Sequence, residues 1–329
     1  MSKHGTKKAD VLVGHLKEMN EIWGHSGDDT LTGGMLEDAI RGGKDDDYVW
    51  AGGGDDTVYG NTGRDKLYGT EGNDSILGGA GDDVVSGGKG NDVVAGGRDN
   101  DVINGNSGDD VVLGGSGNDT LSGDSGNDWL DGGAGNDLIY AGSGDDIVLV
   151  SSGQDQYHGG AGNDVLDFTR VAGSVTVDLT KGTASFGSGR HITTDKISGF
   201  ETFASNNGAG KFTGNDQGGN WFIGGDANDW FRGKGGSDTL TGGGGKDTFV
   251  YLKKDTSGGA VDTITDFKVG TDKLDMSDFL KGRASYADSV RFVDAGADTK
   301  VQGLVNKQWV DVTVLAGVDH STVGFDILN

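Results

Sequence analysis

The chain has 329 residues, of which 66 are glycine and none is proline or cysteine, and its 52 acidic against 27 basic residues leave a formal net charge of −25. Only 33% of the residues are apolar, too few to offset the entropy of ordering so many glycines around one large core. Disulfides and thiolate metal sites are excluded, nucleic acid and anionic membranes would be repelled, no run approaches the roughly 18 apolar residues of a membrane span, and multivalent cations are the partners the charge favours.

The opening MSKHGTKKADVLVG is charged and lacks the apolar h-region of a cleaved signal peptide. Within it GTKKADVLV (5–13) fits a degenerate nine-residue unit with Asp10 and Leu12 in phase, and the ten residues GHLKEMNEIW that follow break the register by one. Residues 1–23 are read as an irregular N-terminal cap, which a stacked solenoid needs to shield its first coil.

From Gly24 to Asp167 the chain divides into sixteen consecutive nonapeptides without insertion or deletion, from GHSGDDTLT to GGAGNDVLD. The sixth position is always aspartate: Asp29, Asp38, Asp47, Asp56, Asp65, Asp74, Asp83, Asp92, Asp101, Asp110, Asp119, Asp128, Asp137, Asp146, Asp155 and Asp164. The eighth is always large and apolar, from Leu31 to Leu166, and the first and fourth are mostly glycine. A solvated acidic linker has no reason to keep one carboxylate in phase through sixteen units.

Gly-rich hexads turn the chain, because glycine tolerates positive φ and close backbone approach. The three residues that follow suit a short strand whose middle side chain faces inward. Two nonapeptides then make one coil, and successive coils stack as two parallel sheets; eight coils at about 4.8 Å give a prism of roughly 40 Å. Its core is one side chain thick. Along each edge the turns bring aspartate carboxylates and carbonyl oxygens together, a hard-oxygen set that suits Ca²⁺ better than Zn²⁺ or Mg²⁺. Extracellular calcium modules have dissociation constants near 10⁻⁴–10⁻³ M, so such sites fill outside the cell and stay empty in cytosol.

At these residues the chain resembles the RTX (repeats-in-toxin, hemolysin-type calcium-binding) family, whose signature is G-G-x-G-x-D-x-U-x with U a large apolar residue. GGAGDDVVS, GGSGNDTLS and GGAGNDLIY match it closely. The resemblance implies an all-β fold with a calcium-bound parallel β-roll, multiple Ca²⁺ ions, and export by type I secretion machinery through an uncleaved C-terminal signal. It places the protein outside a bacterial cell. Leu36, Asp45 and Asp99 occupy the fourth position in repeats 2, 3 and 9, which puts the metal sites there in doubt.

After Asp167 the phase ends. Residues 168–213 alternate as strands, SVTVDL most clearly, and resemble the β-rich spacer between RTX blocks. The nonapeptide returns in a short second roll at 214–250, where Asp229, Asp238 and Asp247 take the sixth position and Phe231, Leu240 and Phe249 the inward one, after a lead-in carrying Phe222. Residues 251–329 form a β-rich C-terminal domain; DTITDFKVGTDKLDMSDFL resembles the segment that closes the roll in serralysin-like type I secretion substrates. Phe325, Asp326, Ile327 and Leu328 resemble that family's secretion signals, the alternative being an ordinary terminal strand.

No catalytic constellation is legible. The six histidines (4, 15, 25, 158, 191, 320) share no helix spacing, and neither H-E-x-x-H nor G-x-S-x-G occurs. His158 reads as a surface residue. The outward strand positions are more apolar than a free surface requires: Leu77, Val93, Ala95, Val111, Leu113, Trp129, Ile147, Leu149 and Val165 in the even repeats, and Tyr48, Trp50, Tyr68, Val84, Val102, Leu138 and Tyr140 in the odd. One face, the even one foremost, is expected to meet the chain's own C-terminal half, another subunit, or a cell-surface polysaccharide; plain β-propensity is the alternative.

The leading expectation is a non-catalytic, secreted protein that folds on calcium and has a structural, surface-layer, matrix or adhesive role. A second reading takes the chain as the calcium-binding and secretion region of a larger RTX protease, lipase or polysaccharide-modifying enzyme. A third, a membrane-active exported factor, is disfavoured by the charge and by the lack of an amphipathic apolar segment.

Overall fold

Each aspartate-led triplet forms the strand its branched residues favour, and the ladder continues through the glycines that follow. In a computed structural model describing residues 2–205, 207–256, 258–283 and 285–328, typical repeats give six-residue strands such as Val84–Lys89 and Val93–Arg98. The strands are longer than the triplets expected from sequence, because the glycines of positions one and two extend and pair instead of turning. The turn is confined to positions four to six. There the fourth residue mostly takes a left-handed backbone: Gly81 has φ 118°, and Asp45 and Asp99 adopt 73° and 74°, a conformation aspartate tolerates, whereas Leu36 does not adopt it. Met1 and Asn329, the outer ends of the first and last segments, lie outside the described residues.

The chain divides after Leu166 into two units. In the first, successive repeats pair in parallel with the strand eighteen residues on, as in Val85↔Ile103 and Val94↔Val112. Even and odd repeats therefore form separate sheets, and the fold is a parallel β-solenoid. Between them the eighth-position side chains, Leu31 through Leu166, are 0–2% exposed. Ser2–His4 and Val11–Val13 add a parallel strand to each sheet, so the N-terminal segment is itself built as a coil.

Of the outward apolar residues, Leu77, Val93, Ile147, Tyr48, Trp50, Val102 and Tyr140 are exposed. Leu149 is an exception at 3% exposure. It ends the shortened strand Ile147–Leu149, where Val150 and Ser151 replace the usual small pair.

The second unit opens with an antiparallel excursion, Ser174–Asp178 against Thr183–Ser188 and that against His191–Ser198. Parallel winding then resumes from Thr202–Ala204 and Gly210–Thr213 and runs to Asp262–Ile264 and Lys273–Asp275. Its interior is aromatic: Phe212, Phe231 and Phe249 stack at 5.1 Å between neighbours, with Phe203 and Phe222 beside them. A three-stranded antiparallel sheet, Val290–Asp294, Thr299–Val305 and Gln308–Leu315, joins the roll edge-on through Thr263↔Val314. The terminal segment packs down as a 3₁₀ turn, Phe325–Ile327, with Ile327 and Leu328 buried and Leu274 bridged to Leu328. No helix among the described residues is long and apolar enough to cross a membrane.

Candidate metal centre

The backbone leaves the strand ladder at positions four to six, so the amide of each sixth residue has no strand partner and takes a side chain instead. In the first unit Oδ1 of each sixth-position aspartate from Asp47 on accepts the backbone N–H of its counterpart eighteen residues earlier. One edge carries Asp29 to Asp47 at 2.8 Å and onward to Asp155. The other carries Asp38 to Asp56 at 2.7 Å and onward to Asp164. In the second unit Asp229 and Asp247 share this bond at 2.9 Å, and Asp238 binds the Asn220 amide at 3.0 Å. All nineteen sequence-predicted aspartates, from Asp29 to Asp247, are at most 2% exposed.

The second oxygen is the informative one. Oδ2 of Asp29, Asp47, Asp56, Asp65, Asp74, Asp83, Asp92, Asp101, Asp110, Asp119, Asp128, Asp137, Asp146 and Asp238 is buried without a hydrogen-bond donor. Beside it lies more oxygen: a methyl group built on Gly60 would overlap Asp65 Oδ2 and press on the Gly78 carbonyl, and Gly24 and Gly69 repeat the arrangement with their own aspartates and the carbonyls one coil on. Buried carboxylate and carbonyl oxygens thus converge without a proton between them. A buried acceptor in this state costs about 1–3 kcal/mol, more when charged.

The electrostatics agree. Burial, with the neighbouring carboxylates of the row adding to it, pushes the carboxyl of Asp56 up to about 8 and those of Asp47, Asp83, Asp92, Asp101, Asp128, Asp137 and Asp247 to about 7. Asp65, Asp74, Asp110 and Asp238 rise to about 6 for the same leading reason, burial. Each amide hydrogen bond opposes the rise without cancelling it. As built, the rows disfavour their own ionised form. No three His, Cys, Asp or Glu side chains converge on a point among the described residues; the available donors are single carboxylates and turn carbonyls. That donor set fits Ca²⁺ and not a soft or strictly octahedral ion.

At several positions a side chain or a backbone amide takes up the carboxylate instead. Asn20, the seventh residue of the ten-residue unit, takes the place that a sixth-position aspartate fills elsewhere, and its Nδ2 donates to the carbonyls of His15 (3.1 Å) and Glu18 (3.0 Å) and to Asp38 Oδ1 (2.8 Å). Asp38 Oδ2 accepts the Gly34 amide at 2.5 Å and Asp229 Oδ2 the Gly225 amide at 3.0 Å. In repeat 15, Tyr157 Oη donates to Asp155 Oδ2 at 2.8 Å and accepts from Ser151 N at 3.1 Å. At the substituted fourth positions, Asp45 and Asp99 accept the Gly27 and Gly81 amides at 3.0 and 3.2 Å.

Three features escape the nonapeptide reading. The row continues past Asp247: Asp262 and Asp272 accept the amides of Asp238 and Asp247 at 3.0 and 3.1 Å, hidden because 24 and 25 residues, not eighteen, separate the pairs. Asn20, like the in-phase Asp10, lends its amide at the other end. The fifth position forms a second ladder of opposite sense, in which Asp55 accepts from Asn73, Asn73 from Asn91 and Asn91 from Asp109 at 2.7–2.9 Å. The frequency of Asn and Asp there was its signal. His158, expected at the surface, stacks on Tyr140 at 4.8 Å.

Among solved structures, the AlgE6R3 subunit of the mannuronan C5-epimerase from Azotobacter vinelandii aligns at 21% identity over 59% of this chain and 78% of its own, with a TM-score of 0.23. The extracellular lipase LipA of Serratia marcescens aligns at 15% identity over 74% of this chain and 40% of its own, with a TM-score of 0.20. No curated protein sequence matches. The RTX calcium-binding nonapeptide repeat model matches overlapping stretches spanning 20–166, and again 214–250. These stretches make up more than half of the chain, which belongs to the RTX calcium-binding repeat family, whose repeats imply multiple bound Ca²⁺ ions.

Proposed function

We propose that this is a secreted calcium-binding protein in which metal completes the fold outside the cell, and that its role is structural, at a surface or in an extracellular matrix, and non-catalytic. The observation that carries this reading is the run of buried aspartates, Asp47 and Asp56 through Asp146 among them, whose Oδ2 atoms have no donor. In this reading the sixth-position aspartates of both rolls supply the carboxylate ligands and the turn carbonyls the rest, and residues 251–329 serve the type I secretion machinery. Sites with engaged Oδ2 atoms, those of Asp38, Asp155 and Asp229, are the weaker ones. Metal-free rows repel and keep the chain expanded. A site at 100 times its dissociation constant contributes about 2.7 kcal/mol, so a dozen supply on the order of 30 kcal/mol, enough to replace the missing apolar core. Circular dichroism with size-exclusion light scattering across a calcium titration tests this: cooperative gain of β structure and compaction is expected. Equal folding in Mg²⁺ would reject the ion assignment.

A further inference from the structure

Against the acidity of the chain, one place in the second unit is strongly basic. An open pocket of about 720 Å³ is lined by Lys253, Lys254, Lys281, Arg283 and Lys307, with Leu304 at its wall. Three separate segments supply these cations: the 3₁₀ turn Lys253–Thr256, the residues after helix Ser277–Leu280, and the tip of the Thr299–Val305/Gln308–Leu315 hairpin. Among the described lining residues five are cations and none is a carboxylate, in a chain of net charge −25.

One neighbouring acid offsets part of this charge: Asp278 pairs with Lys281 at 2.7 Å and accepts the Lys253 amide at 2.9 Å, and both lysines hold its carboxyl below the usual carboxylate range. Arg283 donates to the backbone carbonyl of Asp288, a neutral acceptor, at 2.9 Å. Lys253 Nζ sits 6.0 Å over the Phe279 ring, which fixes its stem. At the hairpin tip Asn306 and Lys307 both have positive φ, 50° and 67°, turning Lys307 into the rim.

The geometry points to a binding site for an oligoanion that carries several carboxylate or sulfate groups, as on an acidic oligosaccharide. The lining is free of aromatic rings, which removes the stacking platforms that nucleic-acid sites use. Its apolar side chains among the described residues are Leu304 and Val305, both half-buried, which is too little to enter a membrane. Lysines act as point charges toward oxyanions without demanding one planar geometry, which suits flexible substituents on a sugar chain. At about 0.15 M salt the screening length is about 8 Å, so the pocket's own field governs a ligand within it, whatever the charge of the rest of the chain.

The test is isothermal titration of the full calcium-loaded chain with a sulfated tetrasaccharide at about 0.15 M salt, with neutral dextran as control. Saturable binding that weakens with added salt is expected, together with about tenfold loss of affinity for each cation removed in Lys253→Gln, Arg283→Gln and Lys307→Gln. Lys66→Gln, in the first unit, leaves binding unchanged. Unaltered calcium-induced circular dichroism shows that each variant folds. Absence of binding, equal binding of dextran, or full affinity in the triple variant would overturn the assignment. So would capture by phosphatidylglycerol vesicles alone, which would name a lipid surface instead.

Discussion

Asp101 sits mid-row, and its two oxygens do separate jobs that two substitutions pull apart. Oδ1 accepts the Asp83 amide at 2.8 Å; Oδ2 is buried without a donor; burial, with Asp119, Asp83 and Asp82 nearby, pushes the carboxyl up to about 7. Asp101→Asn keeps the amide acceptor and gives the oxygen-rich corner a donor, as Asn20 does, but removes a calcium carboxylate. Its cost is the lost site: about 2.7 kcal/mol at 100 times the dissociation constant, falling to about 0.4 kcal/mol when calcium equals that constant. Asp101→Ala also strands the Asp83 amide, adding about 1–3 kcal/mol at every calcium concentration. Urea unfolding followed by circular dichroism at a series of calcium concentrations separates these terms. A calcium-independent cost for the asparagine variant, or indistinguishable asparagine and alanine variants, would refute the division of labour.

Other outcomes follow from the same rows. The raised carboxyls favour protons in the folded, metal-free form, so any stability they lend is fully present below their ordinary value near 4 and lost as pH rises through about 6 to 8. Dialysed, calcium-free chain should therefore gain β structure as pH falls from about 8 toward 5, while the calcium midpoint rises because protons compete for the same oxygens; a flat circular dichroism profile would contradict this. Asn20→Asp removes three donated hydrogen bonds and adds a carboxylate beside Asp38; native mass spectrometry should count one more calcium, and the same count as the parent would contradict the reading of Asn20 as a built-in cation substitute. Tyr157→Phe removes the donor to Asp155 Oδ2 and should lower stability in calcium by about 1–3 kcal/mol, read from the urea midpoint; an unchanged midpoint would show that the phenol is incidental.

The rolls were legible because one period governs both the inward side chain and the buried carboxylate. Leu31, Val85 and Phe231 fall on the interior where the alternation of a strand puts them. What the period cannot express was missed. Asn20 and Asn220 perform the amide half of the aspartate's work under another letter, and Asp262 and Asp272 stand behind loops of unequal length. Strand length was underestimated because glycine reads as turn wherever it stands, yet Gly88 and Gly97 pair in the ladder at left-handed φ. The basic pocket joins residues from 253 to 307, an assembly set by the long-range pairing of the C-terminal hairpin and invisible to any local pattern.

Hydrogen exchange at the amides of Asp47 through Asp137 addresses the central claim most directly, because each of those N–H groups bonds the carboxylate whose other oxygen is assigned to calcium. With calcium the amides should be protected to the limit set by global unfolding; after chelation they should exchange at the rates of an unstructured chain. Equal protection in chelator would mean that the rows cohere without metal.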